Sequence, residues 1–236
     1  MQEIDLKNVM FIDIETVPMC ANFNDMPEIF QKFWDKKSAN FRGEEETAED
    51  VYQRAGIYSE FGKIVCISVG FINGDNFRVK SFYGDDEKEI LAGFADMLRK
   101  WDPFGNKMLC GHNIKEFDVP YIARRMLVNR MYDLPKALDL SGKKPWEIKH
   151  IDTLEMWKFG DYKNFTSLAL LTALFDIPTP KDDIDGSEVA GVYYNDHDVE
   201  RIAIYCEKDV LAVANLMLRL QGKEIYTHKQ MVRTNA

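Results

Sequence analysis

The chain has 236 residues, 46% of them hydrophobic and 29% charged, the balance of a soluble globular protein with enough apolar side chains for a core. Met1 to Phe11 holds only short apolar runs broken by Glu3, Asp5, Lys7 and Asn8, which excludes a signal-peptide core or membrane span there and makes the cytoplasm the default location. A formal charge of -9 argues against a nonspecific nucleic-acid binder, because counterion release needs clustered lysine and arginine.

Asn8 to Ile14 (NVMFIDI) is a short apolar run that reads as a buried strand, delivering Asp13 and Glu15 to its C-terminal end. Residues 19 to 62 alternate polar and aromatic side chains without a clear period and read as an insertion on a single domain spanning residues 1–236. Lys63 to Ile72 and Phe77 to Phe82 are two further strands, with Asn73-Gly74 between them as a hairpin signal, so the chain opens on three antiparallel strands. Asp86 followed by Glu89 predicts a helix start, and Ile90, Leu91, Phe94, Leu98 and Trp101 continue at helical spacing until Asp102-Pro103. Met108 to Gly111 is a fourth strand, and a helix from about Val119 to Val128 follows it, an alternation that favours parallel pairing.

The remainder reads as mainly helical. Thr166 or Ser167 caps a run through Phe175, Pro178 and Pro180 break it, and Asp196 or Asp198 opens a long final helix with an apolar stripe that includes Cys206 and Val210. Cys20, Cys66, Cys110 and Cys206 lie far apart with no C-x-x-C pair and read as reduced, mostly buried thiols. Charge is uneven. Arg124, Arg125, Arg130, Lys136, Lys143, Lys144 and Lys149 outnumber Asp133, Asp139 and Glu147 between residues 121 and 150, whereas residues 182 to 200 hold acids only, among them Asp182 and Asp183.

Asp13 and Glu15 are two residues apart on a strand and so project to one side of it. Burying two carboxylates together is costly unless a cation lies between them, so the pair suggests a divalent-metal clamp. Asp118, before Pro120, suits the first turn of a helix, where it is either a cap or a third ligand. Tyr205 and Asp209 are four apart in the final helix and share a face; a salt bridge to a lysine or a metal role would each satisfy Asp209.

Taken together, D-x-E, N-x-x-x-F-D and Y-x-x-x-D, in that order, resemble the three exonuclease motifs of the DEDD superfamily, and the tyrosine points to its DEDDy branch. FIDIETVP, GKIVCISVGF, GHNIKEFDVPYIARRM and GSEVAGVYYNDHDVERIAIYCEKDV resemble the exonuclease domain associated with family B DNA polymerases, particularly its stand-alone bacterial relatives. The resemblance implies a DnaQ-like, RNase H-like α/β fold with a mixed central sheet flanked by helices. It also implies 3′-5′ hydrolysis of single-stranded nucleic acid by two Mg²⁺ or Mn²⁺ ions held by Asp13, Glu15, Asp118 and Asp209.

By the same resemblance Thr16, Asn113 and Phe117 would border the terminal nucleotides. Tyr205, with an ordinary pKa near 10, would orient the attacking water and not act as a base. Single-stranded DNA or frayed 3′ ends are the expected partners, with RNA or short oligonucleotides as the alternative substrates and a catalytically silent nucleic-acid-binding module as the alternative function. A separate polymerase or repair factor is a candidate transient partner, and the basic stretch with Arg124, Arg125, Lys143 and Lys144 is a candidate guide for the incoming strand.

Overall fold

A computed structural model of the protein describes residues 4–161, 165–178 and 184–234. Its strands, in chain order, are β1 (Val9–Pro18), β2 (Gly62–Asn73), β3 (Asn76–Tyr83), β4 (Met108–Gly111), β5 (Ile151–Asp152) and β6 (Met231–Arg233), arranged β5-β4-β1-β2-β3-β6 in one sheet. β1, β2 and β3 pair antiparallel, while β4 and β5 extend one edge and β6 the other in parallel. This mixed sheet flanked by helices is the architecture of an RNase H-like exonuclease fold.

Alternation along β1 assigns its two faces. Met10, Ile12 and Ile14 pack with Ile90, Leu91, Phe94 and Leu98 of α2 (Glu87–Trp101) and with Val119 and Ile122 of α3 (Asp118–Val128). Val9 and Phe11 face the other way, onto Val210, Val213, Ala214 and Met217 of the long helix numbered α7 below. Asp13 and Glu15 continue this second row. The long helix lies close against β2, since a Cβ at Gly70 would stand only 2.7 Å from Cγ1 of Val210.

The helix ends follow their capping residues. Asp86 accepts from the backbone amides of Lys88 and Glu89 at the start of α2. Beyond α3 come α4 (Thr153–Lys158), α5 (Leu168–Leu174) capped by Ser167, the short α6 (Val189–Gly191) with a π-helical turn over Val192–Asp196, and α7 (Val199–Leu220), capped by Asp198. Pro180, Asp182 and Asp183 lie outside the described residues.

Two expectations change. β1 does not end at Ile14: β2 goes on pairing with Thr16, Val17 and Pro18 after a register shift between Glu15 and Thr16, so the two carboxylates stand within the strand beside a bulge. The two-residue hairpin loop is Gly74-Asp75, because Asn73 pairs with Asn76. The C-terminal part is mainly helical, as expected, but it also adds two short strands that carried no sequence signal, β5 and β6.

Segment 19–62, up to its last residue Gly62 where β2 begins, stands outside the sheet and builds its own apolar cluster around Trp34 of α1 (Glu28–Ser38), with Met26, Val51, Tyr52, Ala55 and Phe61. Trp34 Nε1 donates to the Ala48 carbonyl at 2.8 Å. Arg125 joins this segment to the helical layer: its Nη1 donates to Ser59 O (2.9 Å), and its Nε and Nη2 form a bidentate pair with Glu87 (2.8 and 2.6 Å). Arg125 is therefore a buried structural ion pair, not a guide for the substrate. His150 Nδ1 accepts from the Leu109 amide, which places the segment carrying Lys149 beside the start of β4, and none of the basic residues from 121 to 150 lines the cleft described below.

Candidate active site

The site forms where β4 parts from β1. Their parallel pairing stops at Phe11 and Cys110, so the edge of β1 beyond Phe11 is open to the loop that follows β4. Gly111 lets that loop pass close by, since a Cβ there would lie 2.8 Å from Ile114 Cβ and 3.1 Å from Ile12 O. The loop turns over Asn113 and delivers Asp118 to the first turn of α3, where its carboxylate accepts from its own backbone amide and from that of Ile14. On the opposite side α7 presents Tyr205 and Asp209 one turn apart, and the two share a hydrogen bond.

The charges confirm that these groups share one space. Burial, then Asp118 and Asp209, push the Asp13 carboxyl well above its ordinary value; burial, then Asp13 and Asp209, do the same to Glu15. Burial raises Asp118 to about 7 and Asp209 to about 6. Glu15 is only 8% exposed and meets mainly other carboxylates. The tightest cluster of potential ligand atoms among the described residues, all within 4.8 Å of one another, comprises Asp13, Glu15 and Cys206.

The sequence reading placed Cys206 only in an apolar stripe. Its Sγ lies 3.4 Å from both Asp13 O and Asp13 Oδ2. Burial, followed by the neighbouring Cys66 thiol and the carboxylates, pushes the Cys206 thiol up, so it stays neutral and donates to Asp13.

Residues 57–231 match the family model described as "Predicted 3'-5' exonuclease related to the exonuclease domain of PolB". The chain belongs to this family. Among curated proteins, this PolB-related exonuclease family member is 23% identical to the DNA polymerase delta catalytic subunit of Oryza sativa subsp. japonica over 176 residues, and 25% identical to that of Glycine max over 173 residues. Each alignment covers 63% of the chain but 15% of the relative, so the chain spans a small part of those proteins' length. Asp118, Tyr205 and Asp209 fall inside the family match, whereas Asp13 and Glu15 precede it.

The other predicted site residues, Thr16, Asn113 and Phe117, stand on the two segments that carry Glu15 and Asp118. Thr16, half-buried just past the bulge, shares a hydrogen bond with Tyr121, whose hydroxyl also donates to Gly56 O at 2.7 Å. Asn113 adopts a left-handed φ of 65°, and Phe117, half-buried, tilts against Tyr121 with ring centroids 5.4 Å apart. A cleft of about 1150 Å³ runs from Tyr205 and Asp209 along α5 to Ile177 and Ile184. His112 holds the approach to α5 in place: its Nε2 donates to Thr166 O at 2.8 Å, and its Nδ1 lies 2.9 Å from Thr153 Oγ1.

Asp152, at the end of β5, was also missed. Only 3% exposed, it accepts from the amides of Asn113 (3.0 Å), Lys115 (3.2 Å), Leu154 (2.9 Å) and Glu155 (3.4 Å). It thus caps α4 and fixes the turn that leads into Asp118. Asp152→Ser keeps a capping oxygen for α4 but does not reach Asn113 or Lys115. In a steady-state exonuclease assay this variant is expected to lose about tenfold in kcat, the equivalent of one or two hydrogen bonds, with only a small fall in melting temperature. An unchanged kcat would remove the positioning role.

No helix among the described residues is long and apolar enough to cross a membrane.

Proposed function

We propose that the protein is a metal-dependent 3′-5′ exonuclease of single-stranded DNA that holds two Mg²⁺ or Mn²⁺ ions through Asp13, Glu15, Asp118 and Asp209. The observation that carries this reading is the burial of four carboxylates close enough that Asp118 and Asp209 raise Asp13 and that Asp13 and Asp209 raise Glu15, a repulsion that a divalent pair would relieve. The donor set fits a hard ion, because every carboxylate offers oxygen and the adjacent Cys206 thiol is held neutral. When bound, the ions would supply positive charge that makes a water nucleophilic and stabilises the departing 3′ oxygen.

The chain's own residues provide orientation. Burial, then Asp209 and Glu15, push the Tyr205 hydroxyl above its ordinary value, so it remains protonated at neutral pH. Anchored to Asp209, it positions the attacking water by a hydrogen bond. Thr16, Asn113 and Phe117 border the terminal nucleotide, and the cleft along α5 receives its base. The 3′ polarity is supported by the family description, and DNA as substrate by the names of the polymerase relatives. Tyr205→Phe is expected to lower kcat about tenfold while leaving Mn²⁺ affinity unchanged, measured by turnover and metal titration in parallel. Parallel digestion of matched DNA and RNA oligonucleotides tests the substrate, and faster cleavage of RNA would reverse that part of the assignment.

A further inference from the structure

The outer face of α1 carries apolar side chains the core does not use. Trp34 and Ser38 turn inward, whereas Phe30 (36% exposed) and Phe33 (56% exposed) stand outside at i, i+3 spacing, next to Lys36 and Lys37. Together with Asn40, the exposed Glu60 and the buried Phe61 they line a hollow of about 600 Å³. Lys36 has no ion pair among the described residues, and Lys37 lies over the Tyr58 ring at 4.7 Å. Aromatic faces for bases, ammonium groups for phosphates and an amide for base edges form the chemistry of a single-strand subsite.

Its place in the fold supports that reading. Met19, directly after β1, donates to Phe61 O at 2.8 Å, only about 10 Å of extended chain beyond Thr16. Gly62, next to Phe61, pairs with Pro18, and Tyr121 links Thr16 to Gly56. Lys144, over the Trp146 ring at 5.2 Å, belongs to the segment that leads to His150 beside the start of β4.

We propose that Phe30, Phe33, Lys36 and Lys37 form a second subsite that holds the substrate strand a few nucleotides upstream of the scissile bond. This rests on the exonuclease reading and names the function of segment 19–62: it makes the protein a reader of single strands longer than its catalytic cleft.

The test compares substrates of two lengths. For the wild type, KM should be lower for an oligothymidylate of about twelve nucleotides than for a chromogenic nitrophenyl ester of thymidine monophosphate, which reaches the carboxylates and the cleft for its base but not α1. Phe30→Ala with Phe33→Ala should raise the KM of the oligonucleotide about tenfold and leave cleavage of the ester unchanged. Lys36→Glu with Lys37→Glu should flatten the salt dependence of oligonucleotide binding, read by fluorescence anisotropy in EDTA, where no cleavage occurs. Oligonucleotide KM and anisotropy unchanged in both variants would overturn the subsite while leaving the exonuclease intact. A wild-type dimer dissolved by the phenylalanine variant, with oligonucleotide KM unchanged, would assign the face to self-association instead. Failure of the wild type to cleave either substrate would refute the exonuclease reading, and the anisotropy would still decide whether α1 binds the strand.

Discussion

Asp13→Asn is expected to lower kcat in saturating Mn²⁺ by at least about a thousandfold, while the metal-free variant melts no lower than the wild type. Losing one ligand of a paired-ion site removes several kcal/mol of transition-state stabilisation, and about 4 kcal/mol corresponds to a thousandfold. Stability moves the other way because the Asp13 carboxyl is disfavoured by burial, Asp118 and Asp209, and the isosteric amide removes that repulsion without leaving a cavity. Thermal denaturation in EDTA and single-turnover cleavage in Mn²⁺ read the two effects separately. A folding defect accompanying the lost activity would point to a structural role for Asp13, and retained activity would exclude it as a ligand.

Divalent-ion stabilisation should grow with pH. Asp118 and Asp209 have folded values of about 7 and 6 against an ordinary 3.8, so each contributes stability while protonated and loses it as pH rises through its folded value. The metal-free protein therefore weakens between about pH 4 and 7 at this site. Ions occupy the site only as the protons leave. With Mn²⁺ about a hundredfold above its dissociation constant, linkage adds about 2.7 kcal/mol, which for a chain of this size raises the melting temperature by about 5 to 10 °C at pH 8. At pH 5 the same concentration should change it little. Differential scanning calorimetry across this range, with and without Mn²⁺, checks both limbs. A shift independent of pH would place the ion elsewhere.

The parts of the fold legible in the sequence were those whose signal is local. β2 and β3 were marked by apolar runs and a Gly turn, α2 by its Asp86 cap and i, i+4 stripe, and α7 by the apolar stripe that includes Cys206 and Val210. The five residues singled out by the motifs converge because the period of a strand fixes Asp13 with Glu15, and the pitch of a helix fixes Tyr205 with Asp209.

What escaped was either too short or too long-range. Ile151-Asp152 is only two residues long, and Met231–Arg233 is a three-residue edge strand, so neither shows a period. Asp152 acts on Asn113, 39 residues away, and Cys206 on Asp13, 193 residues away; such contacts leave no mark on spacing. Arg125 misled for the same reason: it resembles a phosphate contact in composition, yet Glu87, 38 residues earlier, holds it buried. Segment 19–62 read as irregular because its cluster closes around one residue, Trp34, and not along a periodic face.

The central claim is tested most directly by incubating a single-stranded DNA labelled at its 5′ end with the wild-type protein and Mn²⁺. The account predicts a ladder of labelled products shortening one nucleotide at a time from the 3′ end, abolished by EDTA and by Asp209→Ala. Release of the label as a mononucleotide at the outset, or cleavage that persists in EDTA or in Asp209→Ala, would contradict it.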